Sequence, residues 1–136
     1  MTQASTSVME QPRSPMVEGF ARFWADPNPA VLPPLLADDV VGHFPGDAEP
    51  VRGRDSYVAK IAQFLQLLPD VRLEVAEYAT NGEFHFIRWI ARATGAKGPV
   101  EMSGIDRIRV QNGLVTENYV VFDTARFAVL IGGLAG

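Results

Sequence analysis

An α+β domain is what this sequence predicts, with helices gathered in its first half and an antiparallel sheet in its second. Two observations carry that expectation. Around Met16–Trp24 and Tyr57–Leu68 apolar residues recur at helical spacing, whereas from Val71 onward they alternate with polar neighbours at a period of two. Prolines and glycines punctuate the change. Helices segregated onto one side of an antiparallel sheet define the α+β class.

The elements follow in chain order. Residues 1–13 are rich in Ser, Thr and Gln and read as a disordered leader, with one domain over 14–136. Ser14-Pro15 reads as an N-cap followed by proline at the first helical position. The helix it opens puts Met16, Phe20, Phe23 and Trp24 on one stripe. Asp26-Pro27-Asn28-Pro29 ends it, and a short second helix is expected through Leu36. Val40 to Phe44 reads as a short strand and 45–50 as a loop. A third helix is expected over 54–68, with Tyr57, Val58, Ile61, Phe64, Leu65 and Leu68 facing inward and Pro69 ending it. Then come strands near 71–75, 84–94, 100–110 and 114–122. They are separated by Asn81-Gly82, a loop over 95–99 and Gln111-Asn112-Gly113, which together predict a four-stranded meander. Asp123 is positioned to cap a last short helix through Ile131.

Composition narrows the function. The 136 residues carry a net charge of −4, which argues against nucleic-acid binding because phosphate contacts need clustered Lys and Arg. No cysteine is present, so disulfides and thiolate chemistry are excluded. Two histidines, His43 and His85, are too few for a multi-histidine metal site. No cofactor and no metal is expected. No apolar run approaches the ~20 residues of a membrane span, and no signal peptide is legible, so the expected address is the cytoplasm.

Three stretches resemble the nuclear transport factor 2-like superfamily, above all its SnoaL-like and ketosteroid isomerase-like members. They are Leu36-Ala37-Asp38-Asp39-Val40 with His43, Pro45 and Gly53-Arg54-Asp55; Gly104-Ile105-Asp106-Arg107-Ile108-Arg109-Val110; and Asn112-Gly113-Leu114-Val115 through Tyr119 and Phe122-Asp123. The resemblance implies a cystatin-like cone, with N-terminal helices packed on a curved sheet around one small apolar molecule. It also implies a homodimer. In the isomerase comparison Asp106 falls on the oxyanion aspartate. The base position holds Phe44, or His43 after a one-residue shift, and the tyrosine position holds Phe20. Without a positioned base, steroid isomerisation by that mechanism is not expected. Limonene epoxide hydrolases offer a second comparison. Arg88 matches their arginine, but Ile90 and Val120 stand where the two aspartates belong, so that activity is not expected either. SnoaL-like cyclases lean on a pocket acid, for which Asp106 remains the candidate.

Strand counting supplies an independent argument. If residues 95–99 form a five-residue loop, Thr94 faces Val100 and Arg88 lies opposite Asp106, on one face with Phe84, Phe86 and Ile90. Asp106, Arg88 and His43 are therefore the catalytic candidates. Arg88–Asp106 reads equally well as a salt bridge holding the sheet. Phe20, Trp24, Phe44, Tyr57 and Tyr119 are the candidate ligand contacts. His85 alternates to the other face and is expected at a surface or subunit interface. Ile87, Trp89 and Ala91 are expected as an apolar outer row that a homodimer covers. Two functions remain open: an isomerase, cyclase or hydrolase acting by acid/base chemistry on a small polyketide-, steroid- or terpenoid-like molecule, or a ligand-binding or scaffold protein without catalysis.

Overall fold

The computed structural model describes residues 13–132, so the expected leader lies almost wholly outside the described residues. Among these residues three α-helices pack on a curved, open, mixed sheet of six strands. Helix α1 spans Pro15–Ala25, α2 Arg54–Leu67 and α3 Thr124–Ile131. The strands are β1 Leu36–His43, β2 Val51–Arg52, β3 Arg72–Asn81, β4 Phe84–Gly95, β5 Gly98–Gln111 and β6 Leu114–Val121. Their order across the sheet is β2-β1-β6-β5-β4-β3. The meander is therefore β3 to β6, as the period-two pattern indicates. It is extended by β1, which runs parallel to β6, and by the short β2.

Local chemistry explains most boundaries. Ser14 Oγ accepts the Val17 N–H and Asp123 Oδ1 accepts the Arg126 N–H, so both expected caps form. The helix expected through Leu36 is replaced by two 3₁₀ turns, Pro29–Val31 and Pro33–Leu35. Pro33 and Pro34 lack the N–H groups that a continuous helix needs. Strand β1 begins at Leu36, four residues earlier than expected. The core gathers Val17, Phe20 and Trp24 of α1 and Tyr57 and Ile61 of α2 against Val40, Leu73, Ile87, Trp89, Ala91 and Ile108 of the sheet.

The register between β4 and β5 corrects the strand count by one. Gly95 pairs with Gly98 and Thr94 with Pro99, so Ala96-Lys97 is a two-residue turn rather than the middle of a five-residue loop. Gly98 has φ +116°, a conformation that suits glycine and lets the chain reverse this tightly. Asp106 consequently faces Ile87, and Arg88 faces Ile105. A one-residue slip moves every side chain of a strand to the other face, and here the faces are inverted. His85, Ile87, Trp89 and Ala91 point into the core. Phe84, Phe86, Arg88 and Ile90 point outward, and Arg88 pairs across the surface with Glu77 at 3.0 Å. The expected Arg88–Asp106 pair does not exist, and the expected outer row of Ile87, Trp89 and Ala91 is core. Both faces of β4 are rich in apolar side chains, so alternation alone could not tell inside from outside.

Candidate functional site

The core does not close completely. Between the inner face of the sheet and helices α1 and α2 lies a cavity of about 640 Å³. Its walls are apolar: Met16, Phe20, Phe23 and Trp24 from α1, Ile61 and Phe64 from α2, and Ile108 and Val115 from the sheet. Polar groups enter the lining at few places. Asp106, Asn118, Tyr57 and His85 are buried, while Lys60 and Gln63 of α2 are more exposed.

Asp106 sits on the inner face of β5 with 7% of its surface exposed. Trp89 Nε1 donates to its Oδ1 at 2.8 Å and Asn118 Nδ2 donates to its Oδ2 at 3.0 Å. Burial pushes its pKa up to about 6, against the pull of those two donors. The same Asn118 Nδ2 donates to the Tyr57 hydroxyl at 2.8 Å. Since that phenol oxygen accepts from Asn118, its own proton is left to donate elsewhere. Burial raises the Tyr57 pKa well above the ordinary phenol value, so the group stays a neutral donor. Asn118 Oδ1 is buried with no hydrogen-bond partner.

Two glycines make this network geometrically possible. Gly104 lies opposite Trp89, and a Cβ there would stand 2.4 Å from Trp89 Cζ2 and 2.8 Å from the Val121 carbonyl oxygen. Gly42 lies beside Asn118, and its Cβ would stand 2.6 Å from Phe44 Cε2 and 2.9 Å from Tyr57 Cε2. Both aromatic rings come close to strand backbone where a side chain is missing. That approach lets the indole N–H donate to Asp106 and brings the phenol oxygen to where it accepts from Asn118 Nδ2.

His85, expected at a surface or subunit interface, is instead turned inward by the same change of register. It is buried on the cavity side of β4, with Nδ1 3.2 Å from Ser14 Oγ and 3.4 Å from Thr80 Oγ1. Burial lowers its pKa, which favours the neutral imidazole. The spacing His85, Ile87, Trp89 carried the signal: once Trp89 is core, His85 must share its face.

Of the candidate ligand contacts, Phe20, Trp24, Phe44 and Tyr57 line the cavity. Tyr119 does not; it lies on the outer face and is 46% exposed. His43 stacks on it with ring centroids 4.5 Å apart. His43 Nε2 lies 2.9 Å from Glu117 Oε2, while Arg107 holds Glu117 Oε1 at 2.9 Å. His43 pairs with Tyr119 in the parallel β1–β6 register and so shares its outward face. His43, Arg88 and Tyr119 thus stand on the far side of the sheet from Asp106. Among the described residues no cluster of three or more His, Cys, Asp or Glu could hold a metal ion, and no helix is long and apolar enough to cross a membrane.

The SnoaL-like domain model matches residues 17–118. The chain belongs to the SnoaL-like family. Comparison of the sequence with curated proteins gave no match. Among solved structures it is similar to a protein with a ketosteroid isomerase-like fold from Catenulispora acidiphila, in complex with trimethylamine. The TM-score is 0.79 at 17% identity, covering 89% of this chain and 95% of that one. It is also similar to TerC co-crystallised with polyporic acid, with a TM-score of 0.74 at 20% identity, covering 87% and 98%. IdmH from Streptomyces antibioticus, a candidate polyketide cyclase, gives 0.72 at 23% identity, covering 85% and 95%. At these identities the likeness establishes the nuclear transport factor 2-like fold.

Proposed function

We propose that this SnoaL-like protein binds one small apolar, polyketide-, steroid- or terpenoid-like molecule and acts on it by proton transfer through Asp106. One observation carries the reading: a buried carboxyl, its pKa raised by burial to about 6, lines a largely apolar cavity of about 640 Å³. Near neutral pH such a group is ionised yet basic enough to take a proton from carbon beside a carbonyl. The proton would move to a carboxylate oxygen and return from there to another atom of the substrate. The Tyr57 hydroxyl would donate to the oxygen on which charge develops. That TerC, which shares the fold, was co-crystallised with polyporic acid supports a small-molecule ligand for this cavity.

A probe ketone tests this without knowledge of the natural substrate. In D2O the protein should speed deuterium exchange at the α-carbon of 2-tetralone, and Asp106→Asn should abolish the gain while leaving binding intact. Tyr57→Phe should slow exchange by about two orders of magnitude. Binding without any exchange would favour a non-catalytic ligand carrier. That second reading has its own support, because Trp89 and Asn118 already occupy both oxygens of Asp106.

A homodimer and a cytoplasmic address belong to the same proposal. The outer face of the sheet exposes Phe86, Ile105, Tyr119 and Val121, a patch suited to a second copy. Sedimentation at micromolar concentration should show a dimer that Ile105→Glu dissociates. Trp89→Glu should instead unfold the chain, because Trp89 is core.

A further inference from the structure

The cavity has two polar poles. One is Asp106 with Asn118 and Tyr57. The other is His85, which pairs across the sheet with Ile108, two residues beyond Asp106 on β5. Diagonal neighbours on one face of an antiparallel pair have Cβ atoms about 7 Å apart. The surface between and around these poles is apolar, with Ile87 facing Asp106 and Ile108 facing His85.

The Nδ1 edge of His85 is already occupied. Ser14 Oγ lies 3.2 Å from it while accepting the Val17 N–H at 3.2 Å, and Thr80 Oγ1 lies 3.4 Å away. These two hydroxyls fix the ring, and Nε2 has no protein partner among the described residues. Nor is Nε2 sealed among the buried unpaired atoms. His85 lines the cavity, and a polar nitrogen there with no partner among the described residues is open to water or to a ligand oxygen. A neutral imidazole meets an oxygen either by donating a proton to it or by accepting one, so both tautomers serve.

We propose that His85 is a ligand-recognition residue, and that the molecule taken up is apolar with two oxygen functions, one met by Asp106 and Tyr57 and the other by His85 Nε2. This rests on the cavity being the ligand site, and it names the class of ligand. A molecule with a single oxygen would leave one pole unsatisfied.

Two naphthols test it by fluorescence titration: 2,6-dihydroxynaphthalene, with oxygens at opposite ends, and 2-naphthol, with one. Wild type should prefer the diol about three- to tenfold, the worth of one hydrogen bond to a neutral group. His85→Asn can still reach Ser14 and Thr80 but has nothing at the Nε2 position, so the preference should vanish. His85→Gln places a polar atom near that position and should restore it. In wild type, the ¹⁵N resonance of His85 Nε2 should shift further on saturation with the diol than with 2-naphthol, whose one oxygen is shared between the two poles, a readout that needs no variant. Equal affinities in wild type, or a preference that survives in His85→Asn, would overturn the assignment. If neither naphthol binds wild type, the ligand cavity itself is refuted and this reading goes with it. Proton exchange at 2-tetralone is a separate readout, so catalysis by Asp106 can fail while the diol preference stands.

Discussion

Replacing Asp106 by Asn isolates the cost of ionising a carboxyl in this cavity. Burial raises its pKa from 3.8 to about 6. A folded-state pKa above the unfolded one means that the protonated form favours folding. The contribution of Asp106 is complete below about pH 4 and is lost as pH rises through 6. About two units at 1.36 kcal/mol each give roughly 3 kcal/mol. An asparagine has no such loss, and the site is equipped to accept one. Asn118 Oδ1 is buried without a partner. Turning the Asn118 amide over would present that oxygen to the new side-chain amide and to the Tyr57 hydroxyl, while Trp89 Nε1 keeps an acceptor. Urea unfolding of both proteins from pH 4 to pH 8 measures the difference directly. The Asn variant should gain roughly 3 kcal/mol on wild type across that range. Titration of His85 is common to both proteins and cancels. Parallel stability curves, differing by a constant, would show that Asp106 is not desolvated and would remove the basis for its proposed role.

Other expectations follow from the same geometry. Gly104→Ala drives a Cβ into the Trp89 indole and should cost about 1–3 kcal/mol in thermal or urea unfolding, more if the Trp89–Asp106 bond breaks as well. Arg88→Ala removes a half-exposed pair with Glu77 and should cost below about 1 kcal/mol. A double-mutant cycle of Arg88→Ala with Asp106→Asn should be additive within about 0.5 kcal/mol, since the two side chains lie on opposite faces. Coupling above 1 kcal/mol would contradict the register. Purified protein should not shift the double bond of a 3-ketosteroid, followed by absorbance, because Phe20 and Phe44 present apolar walls where that mechanism needs a tyrosine and a base.

The architecture was legible because local signals agreed with the final topology. Ser14-Pro15 and Asp123 named two helix starts, and the switch of period after Val71 named the sheet. The cavity contacts from the first half, Phe20, Trp24, Phe44 and Tyr57, were legible for a related reason: a helical stripe or strand end has only one side to bury. The site on the sheet was harder to read. Its composition hung on whether 95–99 turns in five residues or two, and Gly95 to Pro99 is compatible with both. The resulting one-residue shift in pairing decided whether Arg88 or Trp89 stood near Asp106, and whether His85 was inside or outside. Asn118 was invisible for a different reason. A lone asparagine in a strand carries no periodic signal, and its importance lies in joining Asp106 on β5 to Tyr57 on α2, across 12 and 61 residues of sequence.

Gly42 and Gly104 mark the site by what they lack. A search of relatives for an aspartate at the Asp106 position would gather many chains whose carboxyl sits in quite different surroundings. Asking in addition for glycine at both of these positions, with Trp and Tyr placed to lie over them, selects chains able to build this particular hydrogen-bonded floor. Two absent methyl groups thus offer a sorting rule within a family whose members share a scaffold and diverge in chemistry. The rule also sets an order for redesign. To give this scaffold another activity, the glycines are the positions to fill first, because one new Cβ at either would evict an aromatic ring and release Asp106 or Asn118 for a different partner.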